Sequence, residues 1–316
     1  MGLARRVIKR FIPKRLLDER RLRRWLAFAA SAGVHVEVRD LFLDLEKTGK
    51  ILRIRRAHDF YLTHIVENFD FYFGSVVPMP EGNRLLVDMS GPRFHRLRGF
   101  SDLPFLFPSH TEPYEATEEY LKFACLSAGQ VVLDIGAYSG VTSISFAKAV
   151  GESGHVYAFE ADAVNYQCAA ENVELAARWM GTKNITLVHK AMWSHCEGIL
   201  FSNELAMGSS AVEITGGGRG SETRVASTTL EDFCREHNLE QVDLIKIDIE
   251  GAEVEVLEHA VRWLTGRKAR LIVEPHLVSG TLSTERCVAV LEKAGFSVRL
   301  TEQAGVFPPL ILAEAH

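Results

Sequence analysis

The chain reads as a doubly wound α/β protein with a mostly parallel seven-stranded sheet, preceded by a smaller N-terminal accessory α/β region. Three observations predict this. From about residue 130 onward, short apolar runs such as Val131-Val-Leu133, His155-Val-Tyr-Ala-Phe159 and Leu244-Ile-Lys-Ile247 alternate with segments of helical periodicity. Strands that are apolar throughout, rather than at every second residue, belong to a parallel sheet covered on both faces. Finally, polar residues gather where the runs end, at Asp134, Glu160, His189, Asp248, Glu250, Glu274 and His276. Sheets of this kind bind ligands beyond the carboxyl ends of their strands.

In chain order, three parts are expected: a basic amphipathic helical segment (1–31), an accessory region for substrate recognition (32–112) and a ligand-binding domain (113–316). A chain of 316 residues, 47% apolar and 24% charged, has ample material for a substantial core. Residues 1–24 carry ten Lys/Arg against Asp18 and Glu19, while the whole chain has a net charge of −5, so the remainder is acidic. Leu3, Val7, Ile8, Phe11, Leu16, Leu17 and Leu22 recur among these basic residues at roughly helical spacing, interrupted by Pro13. Such a helix packs against a subunit, which allows a homo-oligomer, or lies peripherally on an anionic membrane. A nucleic-acid partner is disfavoured by the acidic main body. No apolar run reaches the ~18 residues of a membrane span, and arginines interrupt any signal-peptide pattern. Five cysteines without C-x-x-C spacing suggest neither a disulfide frame nor a zinc site, and point to a reducing cytoplasm.

Between 34 and 105, Val34–Val38, Ile51–Ile54, Phe71–Phe73 and Leu85–Val87 read as strands, Ala57–Asn68 as a helix and Pro78–Asn83 as a turn. Phe107-Pro-Ser-His-Thr-Glu-Pro-Tyr114 is a linker of turn formers, on which His110 is a mobile loop histidine within reach of a site. A helix over Glu115–Leu126 leads into the first strand of the sheet. Helices then follow over Val141–Val150, Tyr166–Met180, Glu253–Leu264 and Thr284–Ala294. Strands follow at His155–Glu160, Ile185–His189, Val242–Ile247, Arg270–Val273, Phe296–Leu300 and Leu310–Ala313. The last two strands have no helix between them, so one of them runs antiparallel. Asn203–Ser227, rich in glycine and serine, reads as a flexible loop, with Arg219 and Arg224 as ordinary surface cations. Thr229-x-x-Asp232 is a capping box with Asp in place of Glu or Gln.

The ligand is read from Asp134-Ile-Gly-Ala-Tyr-Ser-Gly140. Gly136 has no Cβ, so a ligand can lie against its backbone, and the helix start near Gly140 presents free N–H groups. Glu160, about 20 residues on, stands where a doubly wound fold places a carboxylate for ribose hydroxyls. A dinucleotide fingerprint would read G-x-G-x-x-G; here the pattern is D-x-G-x-x-x-G. A carboxylate beside a phosphate repels it, whereas one facing a cationic ligand is tolerable. S-adenosylmethionine, with an ammonium, a sulfonium and no phosphate, suits the loop better. Two alternatives are a dinucleotide-dependent oxidoreductase and a non-catalytic scaffold of the same fold.

Asp134-Ile-Gly-Ala-Tyr-Ser-Gly140, Phe159-Glu-Ala161, Thr229-Leu-Glu-Asp232, Leu244-Ile-Lys-Ile-Asp-Ile-Glu-Gly-Ala-Glu253 and Glu274-Pro-His276 together resemble the FkbM family of S-adenosylmethionine-dependent methyltransferases, over roughly Tyr114 to the C-terminus. The most specific part is K-I-D-I-E-G-A-E. The family usually has Asn where Tyr138 and Ser139 stand, and Pro where Ala161 stands. The resemblance implies a class I methyltransferase sheet and O-methylation of a sugar, glycolipid or polyketide-type hydroxyl. It also implies a cofactor site formed by Asp134, Gly136, Ala137, Tyr138, Gly140, Glu160, Ala161, Lys190, Ala191 and Asp248. His276 is the first candidate for a general base, because an ordinary imidazole pKa of about 6.5 suits that role. Asp248 is the second, and Glu250, Glu274 and His110 border the acceptor. Asp248, Glu250 and Glu274 offer the hard oxygens that suit Mg²⁺, but the spacing assigns no metal. Lys246, inside a strand, reads as the buried partner of an acid.

Overall fold

A computed structural model describes residues 14–203, 209–215, 221–303 and 308–315. The chain forms two compact units, Met1–Gly91 and Pro92–His316. Residues 1–13 of the basic segment and the glycine run 216–220, with Arg219, lie outside the described residues. No helix among the described residues is long and apolar enough to cross a membrane.

In the first unit α1 (Lys14–Ser31) precedes β1 (His35–Val38), β2 (Phe42–Lys47) and β3 (Lys50–Arg55). A 3-10 turn (Arg56–Tyr61) and two short helices, α2 (Leu62–Glu67) and α3 (Phe69–Gly74), lead to β4 (Met79–Glu81) and β5 (Arg84–Met89). The five strands form one sheet in the order β1-β2-β3-β5-β4. Sequence pattern missed β2, whose Asp44 is buried. Its charge is matched by Arg53, directly opposite on β3, which donates to it at 2.6 Å. Phe71–Phe73, expected as a strand, lies instead in α3. Phe69 and Phe73, four residues apart, stack at 5.9 Å between ring centres, and together with Tyr72 they bury one face of that turn. Helical spacing wins over the strand propensity of the aromatics.

The second unit starts at Pro92, some twenty residues before the expected boundary at 112. It opens with a hairpin of β6 (Arg93–Arg96) and β7 (Pro104–Phe107). Leu106 of β7 exchanges two hydrogen bonds of 2.7 Å with the Asn172 side chain, whose amide also donates to the Ser139 carbonyl at 2.8 Å. The hairpin therefore belongs to this unit, not to the first.

After α4 (Tyr114–Ala124) come β8 (Val131–Ile135), α5 (Val141–Val150), β9 (His155–Phe159), α6 (Ala163–Trp179) and β10 (Ile185–Val188). A subsidiary region follows, of β11 (Ala191–Met192), β12 (Ile199–Asn203), β13 (Ser210–Ala211), α7 (Val212–Thr215), β14 (Ser221–Val225) and β15 (Ser227–Thr228). Next are α8 (Leu230–Glu236), β16 (Leu244–Ile247), α9 (Glu253–Leu264), β17 (Arg270–Val273), the small hairpin β18 (Leu277–Val278) and β19 (Thr281–Leu282), α10 (Thr284–Lys293), β20 (Phe296–Thr301) and β21 (Leu310–Ala315). The seven-stranded sheet has the order β10-β9-β8-β16-β17-β21-β20. Its first five strands are parallel, and β21 runs antiparallel to both neighbours. Apolar side chains fill both faces, as the continuous runs require. Phe146, Ala147 and Val150 of α5 meet Val132 and Leu244 on one face, and Val256, Leu257 and Leu264 of α9 meet Ile245 and Leu271 on the other. The Asn203–Ser227 stretch, expected as a flexible loop, contributes β13 and β14, which flank β12 in a three-stranded sheet. Phe201, Ala211 and Val225 share a small core with Trp193 and Ile199.

Strand order reverses between β8 and β16, the point at which doubly wound sheets open a ligand crevice. There Gly136 has φ +88°, and a Cβ added to it would stand 1.8 Å from the Asp248 carbonyl oxygen. The bare Cα is thus required by the neighbouring strand end, a constraint that the reading of this glycine from sequence did not include. Gly181, by contrast, has φ +73° with open space around it. Gly136→Ala is therefore expected to abolish cooperative folding, while Gly181→Ala costs about 1–2 kcal/mol, the ordinary left-handed penalty. Thermal melts of the two variants followed by circular dichroism check the contrast.

Candidate active site

At the reversal point a buried lysine joins the two central strands. Lys246 of β16 is 3% exposed and lies opposite Asp134 of β8 in the parallel register. Its Nζ donates to the Gly136 carbonyl at 2.8 Å and lies 3.4 Å from Asp134 Oδ1 and 3.2 Å from Asp248 Oδ2. The Tyr120 ring lies 5.4 Å from the same ammonium. Burial alone would strip its proton, but Asp248 and Asp134 reverse this and hold the lysine cationic. Asp134 is wholly buried and takes the Ser143 hydroxyl at 2.5 Å; burial raises its carboxyl, against the pull of Lys246 and Ser143. Asp134, expected to touch a ligand, instead acts on the site through Lys246.

Beside this stitch lies the carboxylate at the end of β9. Glu160 is 7% exposed, and its two oxygens accept from the backbone N–H of Tyr138 and of Asp162, each at 2.8 Å. One donor per oxygen leaves lone pairs for further hydroxyl donors. Burial pushes the Glu160 carboxyl up to about 8. The next acid serves the fold. Asp162 caps α6 through the N–H groups of Val164 and Asn165, and takes the Ser209 hydroxyl at 2.9 Å. Tyr138, held at φ +50°, donates its hydroxyl to the His110 carbonyl at 2.6 Å. His110 is only 2% exposed, so it is a fixed support of the glycine loop and not a mobile loop residue. Gly140, at φ +78°, starts α5 and packs against Ala169, and Ala137 is buried beside it. The Ala161 carbonyl lies 3.2 Å from the His189 Nε2, Lys190 lies 3.8 Å from Glu236, and Ala191 is buried in β11 opposite Ser227.

The carboxyl ends of β16 and β17 converge on a cluster of acids around one imidazole. The chain after β16 turns sharply, with Glu250 at φ +54° and Gly251 at φ +105°. A side chain at Gly251 would strike Ile214 and Val278. This turn folds Glu253, 0% exposed, back so that its Oε1 accepts from the N–H of Gly251 at 3.0 Å and of Ile249 at 3.3 Å. The same oxygen lies 2.8 Å from His276 Nδ1. His276 Nε2 faces Asp248 Oδ1 at 3.6 Å and Glu250 Oε1 at 3.7 Å. Burial would lower this imidazole's pKa, but Glu250, Glu253 and Asp248 raise it well above its ordinary value. These acids favour the protonated form of the ring, an environment that the expectation from an ordinary histidine did not include. Glu274 takes the Tyr120 hydroxyl; burial first, and then Asp248, push its carboxyl up to about 7. Burial likewise raises Glu250 to about 7, opposed by His276. Glu112 feels the charges of Glu274 and Asp248 and, chiefly through burial, is raised well above the usual range. Sequence reading missed Glu112, Tyr120 and Glu253. Of these only Glu253, inside K-I-D-I-E-G-A-E, stood in a recognisable signal.

Removing one partner of a buried ion pair leaves the other charge uncompensated, at a cost of about 3–5 kcal/mol. Lys246→Met is therefore expected to destabilise the protein by about that amount, and Lys246→Met combined with Asp134→Asn to recover part of the loss. Urea unfolding of the single and double variants measures both.

No curated protein matches the chain in sequence. The family model for the methyltransferase FkbM domain matches residues 134–298. Solved structures similar to the chain include methyltransferase FkbM from Methylobacillus flagellatus KT, at 14% identity and a TM-score of 0.44, covering 62% of this chain and 50% of that one. The chain thus spans half the length of that protein. A SAM dependent methyltransferase from Aquifex aeolicus shows 19% identity and a TM-score of 0.39, over 64% of this chain and 92% of its own. For a SAM-dependent O-methyltransferase from Thermotoga maritima the figures are 13%, 0.39, 65% and 67%. The dinucleotide alternative loses its ground, since the family match runs over the glycine loop, the acid ending β9 and the K-I-D-I-E-G-A-E turn. A match over more than half of its residues places the chain in the FkbM family of S-adenosylmethionine-dependent methyltransferases.

Proposed function

We propose that the enzyme is an O-methyltransferase acting on a hydroxyl of a sugar, glycolipid or polyketide-type natural product. The observation that carries this reading is the convergence of Asp248, Glu250, Glu274 and Glu112 at the ends of β16 and β17. Carboxylates accept hydrogen bonds and repel anions, so such a surface suits an acceptor that presents several hydroxyl donors.

The residues present fit the cofactor. Glu160, buried and holding one backbone donor per oxygen, has room for the two ribose hydroxyls. Gly136 to Gly140 would run along the methionine part, Ala161, Lys190 and Ala191 would border the adenine, and Asp248 would lie toward the amino group and the methyl. Bound there, S-adenosylmethionine supplies a methyl group on a sulfonium, for in-line displacement by the acceptor oxygen. The protein's share is alignment and removal of the hydroxyl proton. Since the neighbouring acids favour the protonated form of His276, this reading gives the proton to a carboxylate. We assign this role to Glu250, whose turn at φ +54° brings it to 3.7 Å from His276 Nε2 and whose side chain keeps 31% of its surface exposed.

Calorimetric titration with S-adenosylhomocysteine is expected to show binding by the wild type and its loss in Glu160→Ala. The ribose hydroxyls favour ionised Glu160, so binding draws its raised pKa down and releases a proton. Affinity then climbs as pH rises toward 8 and levels off above it. Titrations in buffers of different ionisation enthalpy count that proton, and an affinity independent of pH between 6 and 9 would refute the assignment. Glu250→Gln is expected to lower kcat by ~10²–10⁴-fold on a hydroxylated acceptor while binding S-adenosylhomocysteine as the wild type does.

A further inference from the structure

We propose that Asp248, Glu274 and His276 bind a divalent cation, for which Mn²⁺ is the best match. One ligand atom from each of the three lies within 4.8 Å of the other two. His276 Nε2 stands 3.6 Å from Asp248 Oδ1. This gap is too long for a good hydrogen bond. It falls between the roughly 3 Å and 4.3 Å that neighbouring and opposite ligands keep around a cation with bonds of about 2.1–2.2 Å.

A second, independent feature is how each of these side chains is held. Metal-binding histidines almost always give their other ring nitrogen to a carboxylate or carbonyl, which fixes the ring with its free nitrogen toward the ion. Glu253, fully buried and itself pinned by the Gly251 and Ile249 N–H groups, does this for His276 Nδ1 at 2.8 Å. Asp248 is held in the same way: Lys246 takes its Oδ2, and its Oδ1 is the oxygen facing the imidazole. Glu274 is held through Oε2 by the Tyr120 hydroxyl. Each ligand thus has a support that is not itself a ligand.

The donor set selects the ion. Two carboxylates and one imidazole, with no thiolate, fall between the all-oxygen sites of Mg²⁺ and Ca²⁺ and the sulfur-rich sites of softer metals. Three protein ligands leave positions open, which the adjacent oxygens of a sugar can fill. The ion's catalytic part rests on the O-methyltransfer reading: an acceptor hydroxyl bound to it would lose its proton more readily, with Glu250 beside it to take that proton. Binding of the ion does not depend on that reading.

The test uses the full chain, stripped with EDTA, dialysed and titrated with Mn²⁺ while the signal of free Mn²⁺ is followed by electron paramagnetic resonance. One Mn²⁺ per chain is expected, with a nitrogen coupling from His276 on the bound ion. Affinity should fall at least 10-fold in Glu274→Gln and His276→Gln, and 10–100-fold in Glu253→Gln. S-adenosylhomocysteine binding, measured on the same samples, reports whether each variant is folded and tests the methyl-donor site separately. Absence of Mn²⁺ binding by wild-type protein that still binds S-adenosylhomocysteine would overturn the proposal. So would binding unchanged in all three variants, or bound Mn²⁺ without nitrogen coupling.

Discussion

The Lys246 ammonium is the interaction on which the rest of the site depends. A parallel sheet offers no hairpin to fix the ends of its two central strands, and here one side chain does so. It bonds the carbonyl at the glycine turn, balances the buried Asp134 below and holds Asp248 at the edge of the crevice. A cation is tolerated at 3% exposure because two carboxylates and an aromatic face surround it. The same ammonium sets which Asp248 oxygen faces His276, so the geometry of the reacting end is inherited from the strand pairing.

Around this stitch the chain uses backbone strain to aim side chains. Tyr138 and Glu250 both adopt left-handed conformations that cost L residues energy, and each is followed within two residues by a glycine in the same half of conformational space. The first distortion turns the Tyr138 N–H onto Glu160. The second turns Glu253 inward beneath His276 and leaves Glu250 facing outward. Two short turns, more than a hundred residues apart in sequence, therefore shape the two halves of one crevice.

The sheet was legible in the sequence because its strands are unbroken apolar runs, and a parallel sheet buried on both faces needs such runs. The acids ending those runs were legible for the same reason. Partnership was not legible. Tyr120 reaches Glu274 across 154 positions and Lys246 reaches Gly136 across 110, and no local pattern marks such pairs. Single residues were misjudged where environment overrides type. His276 has an ordinary titration range until three acids surround it, and His110 lies in a stretch of turn formers yet is buried, with its carbonyl bound by Tyr138. In the first unit, β2 escaped notice because the charge of Asp44 broke its apolar run, while its partner Arg53 sat nine residues away.

Asn172 shows how far this architecture departs from a detachable module. Its amide stands in for a strand edge, pairing with both polar groups of Leu106 and reaching on to the carbonyl of Ser139 in the glycine loop. The family match begins at Asp134, inside β8, and ends at Val298, inside β20. The β6–β7 hairpin and α4 stand before it, and β21, which pairs with both β17 and β20, stands after it. The stretch recognisable in sequence is thus smaller than the stretch that folds. Exchange of this domain between proteins, by recombination or by design, has to respect a joint near Pro92 and keep β21, because a graft cut at the recognisable limits would leave a buried asparagine without Leu106 and remove the strand that joins β17 to β20.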